Sequence, residues 1–194
     1  MVQDPHAERQ AVIALAWAQI IQALGYDLQD PHLKDSPDRV AKFLLSWHTQ
    51  RETPPKLTTF PNGNYDAIIA VGKIPFYSVC AHHGLPFVGS AAVGYLPGES
   101  KQIVGLSKLA RVVEHFAHRF QTQEQITEQV AEHLQCQLRP LGVGVILQAE
   151  HLCMSMRGVK APGHITTTST MLGCFRSDAP ARAELLSLLT RSLA

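Results

Sequence analysis

The chain has 194 residues, 45% of them hydrophobic and 17% charged, which is enough apolar material for a packed core and excludes a disordered polymer. Its formal net charge is +1, so no overall field exists to hold nucleic acid or an acidic membrane surface. No apolar run approaches the roughly 18 residues that span a bilayer, and Met1 to Arg9 lacks the apolar stretch of a secretory signal, so the expected compartment is the cytoplasm.

A first helix is expected where Ile13, Trp17, Ile20 and Leu24 recur at helical spacing, with Gly25 as its C-terminal cap. A second is expected from Ser36, an N-cap, through Pro37, with Val40, Phe43, Leu44 and Trp47 as its apolar stripe. The Pro-, Thr- and Asn-rich stretch Thr53 to Asn64 reads as a connection. The expected division is a helical segment over 1–58 and a main body over 59–194.

The body opens with a strand over Ala67 to Val71, and Pro75 calls for a sheet edge or a bulge. A second strand runs from Phe87 to Tyr95 and closes at the turn Leu96-Pro97-Gly98. Two helices follow: one capped by Ser107 with Leu109, Val112, Val113 and Phe116 along one face, and one opened by a Thr122–Gln125 capping box and stopped near Pro140. Strands are expected from Val143 to about Met156 and from Ile165 to Phe175, then a last helix over Pro180 to Leu189. Strands and helices in runs favour α+β with an antiparallel sheet.

Cys80-Ala81-His82-His83 places three potential metal ligands within four positions, and Cys80 and His83 have a common chelating spacing for zinc. The remaining candidate of this kind is His151-Leu152-Cys153. On one regular strand, Val143, Val145, Leu147, Ala149, His151, Cys153, Ser155 and Arg157 share a face, so an apolar row would end in an imidazole, a thiol and a guanidinium. Cys80, His83 and Cys153 would then be three ligands with one open position, the pattern of catalytic zinc. His82 and His151 would remain as general acid and base candidates. By spacing alone the group divides evenly between a metal site and ordinary side chains, while Cys136 and Cys174 read as small core residues. Ser107, Lys108 and Arg111 on a first helical turn, with Arg157, suit a phosphate, although on composition alone a solvated helix face is the favoured explanation of them, as it is of Arg39.

Together, Phe76 to His83, Val104 to Arg111, Gln121 to Glu124 and His151 to Gly158 resemble the signature blocks of the GTP cyclohydrolase I family, and the resemblance runs from about Ser36 to Leu189. It implies a tunnelling fold: a four-stranded antiparallel sheet with two helices on one side, plus an N-terminal helical appendage. It implies a homodecamer of two pentameric rings with active sites between subunits, and GTP as substrate. It assigns Zn2+ to Cys80, His83 and Cys153, and proton handling to His82 and His151. It places Gln123 and Ser107 in the catalytic pocket and Glu124 on the guanine edge. Lys108, Arg111, Arg157 and Arg39 would hold the triphosphate and ribose end, Arg39 from a neighbouring subunit. The implied reaction is attack of zinc-activated water at guanine C8, ring opening, loss of formate and closure to 7,8-dihydroneopterin triphosphate, the first step of folate or pterin biosynthesis. Two alternatives are a homologue that stops at a ring-opened product and a non-catalytic nucleotide-binding ring. The chain departs from the family at Ala81, where a Glu is usual; that Glu is not a ligand, so metal binding should survive.

Overall fold

The computed structural model describes residues 5–48 and 53–193. The chain divides into two compact units, Met1–Glu52 and Thr53–Ala194. The N-terminal unit pairs α1 (Pro5–Ala23) with α2 (Ser36–His48), burying Ile21 and Ala41. Gly25 ends α1 as expected: its φ is +87°, a value that favours glycine, and its amide donates to the Gln22 carbonyl at 2.9 Å. Ser36 is not an N-cap. It is already helical, its hydroxyl donates back to the His32 carbonyl, and Asp35 precedes the helix.

In the second unit, β1 (Thr59–Pro61) pairs with β4 (Gln102–Val104) in a small ribbon. The main sheet has the order β5-β2-β3-β6-β7, from β2 (Ile69–Cys80), β3 (Pro86–Leu96), β5 (Phe120–Gln121), β6 (Gly142–His151) and β7 (Thr166–Gly173). The four long strands are antiparallel neighbours, as expected, and β5 adds a short parallel contact beside Val79 and Cys80. Strand β2 runs nine residues further than its apolar start indicates. Pro75 is tolerated because the register shifts between Val71 and Ile74, and because only the last two residues of β2 are paired on their outer side.

Each face of the sheet has its own core. On one face Ala91, Val93, Tyr95, Val143, Val145, Leu147 and Ala149 meet the apolar sides of α3 (Leu106–Ala117) and α4 (Gln123–Leu138). Alternation along β6 over 143–149 is thus as the sequence indicates. The other face is covered by α7 (Ala179–Arg191), entered through the short α6 (Cys174–Ser177). Leu185 of α7 lies over Gly94 and Gly144, where an added Cβ would come within 2.5 and 2.3 Å of its methyl carbons. Glycine at both positions lets the helix approach the sheet.

Besides Ser36, three further expectations fail. The β6 strand stops at His151 and the chain turns into α5 (Leu152–Ser155), so His151, Cys153, Ser155 and Arg157 do not share a strand face. Ser107 does not cap α3; Gly105 occupies that position and no side chain bonds there. Cys136 is exposed on α4 rather than buried. The Thr122–Gln125 capping box is present in full, and Arg139 ends α4 at φ +49° before Pro140.

Candidate metal and catalytic site

The site forms at one end of the main sheet, where register brings four chain ends together. Strand β2 ends at Cys80 and returns to β3 through a five-residue turn holding His82 and His83. Gly84, at φ +66°, closes it, and its amide donates to the Cys80 carbonyl at 2.9 Å. Pairing of Phe87 with His151 then sets the end of β6, and the start of α5, beside that turn. Pairing of Cys80 with Gln121 sets the first residues of α4 there too.

As a result the ligand atoms of Cys80, His83 and Cys153 all lie within 4.8 Å of one another, the one such group among the described residues. The Cys80 Sγ lies 3.8 Å from His83 Nδ1 and 3.8 Å from His82 Nδ1. A tetrahedral ion with bonds of about 2.3 Å to sulfur and 2.0–2.1 Å to nitrogen needs ligand separations of roughly 3.6–3.8 Å. The Cys80–His83 separation already meets that requirement, Cys153 lies within 4.8 Å of both, and the three side chains could hold a metal. Partial burial, with the Cys80 thiol beside it, pushes the Cys153 thiol above its ordinary value, so that thiol is protonated until a cation displaces its proton.

His151 sits against this group with its ring stacked on Phe87, 4.5 Å between centroids and 3° from parallel. Its Nε2 lies 2.9 Å from Gln123 Oε1. Gln123 Nε2 faces the Leu147 and Thr166 carbonyls, both at 3.0 Å, and Thr168 Oγ1 at 3.1 Å. Those acceptors orient the amide, so its oxygen must face His151 and His151 must donate from Nε2. The neutral ring then keeps its free lone pair on Nδ1. Burial lowers the His151 pKa, the nearby His164 lowers it further, and Glu124 opposes both. The imidazole is neutral at pH 7, as a proton acceptor must be.

The basic residues divide. Arg157 follows α5 and acts electrostatically on Cys153. Ser107 and Arg111 are exposed and Lys108 half-buried on the first half of α3, and Lys108, Arg111 and Arg157 form no ion pair among the described residues. The end of α3 leads into β5 beside Cys80, so Ser107 lies about 15 Å up the helix axis from that end, ten residues at 1.5 Å each. Arg39 belongs to the N-terminal unit, where it is 70% exposed and pairs with Asp35 at 3.1 Å. Ala81 is exposed, its amide bonded to the Gln121 carbonyl at 3.0 Å.

Four residues that the sequence does not mark also shape the site. Phe87 stacks on His151. Thr127 and Thr168 join by their hydroxyls at 2.6 Å and extend the Gln123 network. Glu150 accepts from Ser155 and from the Gly163 amide, and these bonds, helped by His164, hold its carboxyl below its ordinary value. Threonines alternating in the 166–170 run are the one visible signal, since alternate hydroxyls on a strand face one side.

The family model described as GTP cyclohydrolase I matches residues 13–190. A GTP cyclohydrolase 1 of Hydrogenobaculum sp. is 45% identical over 87% of this chain and 91% of its own. That of Aquifex aeolicus is 45% identical over 87% and 90%, and that of Thermoanaerobacter pseudethanolicus 44% over 91% and 95%. A solved structure of the archaeosine synthase QueF-Like in the apo form is similar at TM-score 0.41 and 14% identity, over 62% of this chain and 97% of that one, too slight a likeness to bear on function. With the model matched over most of the sequence and relatives this similar at nearly full length, the chain belongs to the GTP cyclohydrolase I family of enzymes.

Proposed function

We propose that the chain converts GTP and water to 7,8-dihydroneopterin triphosphate and formate, as the entry reaction of folate or pterin synthesis. The observation that carries the reading is the convergence of Cys80, His83 and Cys153 within 4.8 Å beside a tethered His151. Two thiols and an imidazole favour Zn2+. Such an ion, when bound, supplies Lewis acidity that makes water nucleophilic at neutral pH.

The chain's own residues do the rest. His151 accepts or returns a proton at Nδ1, while Gln123 fixes its Nε2 and so positions the ring. His82, exposed in the same turn, is the second proton carrier. Glu124 pairs with the guanine N–H groups, a charge-assisted contact that selects the base. Arg157 meets the polyphosphate from the thiol side, with Lys108, Arg111 and Ser107 completing that end and Arg39 reaching it from another copy. The same reading makes the assembly a homodecamer of two pentameric rings with sites shared between chains, as membership of the family implies. Thiol ligands need a reducing compartment, which supports the cytoplasm.

The test is to incubate zinc-loaded protein with GTP and follow formate and oxidised-pterin fluorescence together. Both should appear, and both should vanish with Cys153→Ala along with the bound zinc. Formate without pterin would replace this reading with a reaction halted at the ring-opened product. Neither product from an assembled, metal-loaded protein would reject GTP as substrate.

A further inference from the structure

Every residue from Met156 to Lys160 is exposed, and Ala161 alone is partly covered before Gly163. This loop joins α5 to the approach of β7, and its apolar members Met156 and Val159 remain 61% and 70% exposed. No apolar anchor holds it. The loop nevertheless begins at the turn that carries Cys153, includes Arg157, and ends at His164 beside His151.

Polar contacts hold it instead, and they meet at one atom. Glu150 Oε1, on the residue of β6 before His151, accepts from Ser155 Oγ at 2.5 Å and from the Gly163 amide at 3.1 Å. One carboxylate oxygen thus ties both ends of the loop to the sheet. The Ala161 amide donates to the Met154 carbonyl at 2.9 Å, and His164 Nδ1 lies 2.8 Å from the Ala161 carbonyl, so the ring at the end of the loop follows the same restraint. Gly163 has φ +77°, the left-handed conformation that aims its amide at the carboxylate without Cβ strain.

We propose that Glu150 is a positioning residue: its carboxylate fastens the loop 156–163 to the end of β6 and thereby sets the Cys153 thiol and the Arg157 guanidinium in place for a metal ion and a substrate phosphate. The inference rests on the reading of Cys80, His83 and Cys153 as ligands. Groups that orient ligands without touching the metal change affinity or activity 10- to 100-fold when removed.

The experiment uses assembled, full-length wild type, Glu150→Ala, Glu150→Gln and Ser155→Ala. Zinc affinity is read by competition with a chromophoric chelator, and kcat and KM for GTP are measured separately. Glu150→Ala should weaken zinc binding about 10-fold and raise KM more than it lowers kcat. Ser155→Ala removes one of the two bonds, should give part of that loss, and stands as the test if Glu150→Ala lowers Tm. Glu150→Gln keeps an oxygen that can accept both bonds and should recover most of the affinity. Wild-type zinc affinity and KM in Glu150→Ala, or a Glu150→Gln protein as impaired as Glu150→Ala, would overturn the proposal. A wild-type protein that holds no zinc sinks the ligand assignment itself, a result distinct from either.

Discussion

Replacing Gln123 with Met fills nearly the same volume and removes the amide, which isolates the work of the hydrogen bonds at a residue 1% exposed. An NH2 group has two hydrogens, so the three acceptors around Nε2 share at most two full bonds. With the bond to His151, about three are lost. At about 0.5–1.5 kcal/mol of net stability for each bond, the variant should lose about 1.5–4.5 kcal/mol. His151 would also lose the restraint that selects its Nε2–H tautomer, and kcat should fall on the order of 100-fold, the low end of acid–base contributions. Bound zinc should stay at the wild-type level, because Gln123 bonds His151 and the β6 and β7 strands, not a ligand side chain or the loop that follows Cys153. The assays are urea unfolding, formate release, zinc content, and 15N shifts of the His151 ring. A stability loss below about 0.5 kcal/mol with unchanged kcat and tautomer would refute the reasoning.

Two further outcomes follow from the two faces of the sheet. Leu185→Ala, at a fully buried site over Gly94 and Gly144, should cost about 2–5 kcal/mol by leaving a cavity, while zinc affinity and KM stay unchanged; equal damage to both would mean α7 supports the site directly. Burial lowers the pKa values of His118 and His133 from 6.5, so each binds a proton more readily unfolded than folded. The stability they contribute is complete above pH 6.5 and is lost as pH falls through their lowered values; Tm of the metal-free protein should fall on that side, and His133→Gln should flatten the slope, an unchanged slope counting against the burial argument.

Local rules made much of the body legible in the sequence. The Cys80–His83 pair lies within one tight turn, so chelating spacing is visible without any knowledge of the fold. Alternation over Val143 to Ala149 reveals the inward face of β6, because side chains on a strand alternate by geometry alone. The capping box at Thr122 is likewise a short-range contact between neighbours in sequence.

Where the strand gives way to α5 was hidden, because His151-Leu152-Cys153 satisfies a strand pattern and a helical turn equally. The same-face argument for Cys153 fails, yet the thiol still reaches Cys80. Sheet register, not alternation, is what brings it there, by pairing Phe87 with His151.

Residue types and short spacings, which act between neighbours, were enough to indicate an α+β body, a half-formed metal site and the family. The tertiary structure alone decided how the site closes. Gln123 meets His151 across 28 positions, and one oxygen of Glu150 gathers a loop 13 residues away. Such contacts depend on strand pairing and helix packing over long separations, and no local pattern encodes the distance between two ends of a sheet.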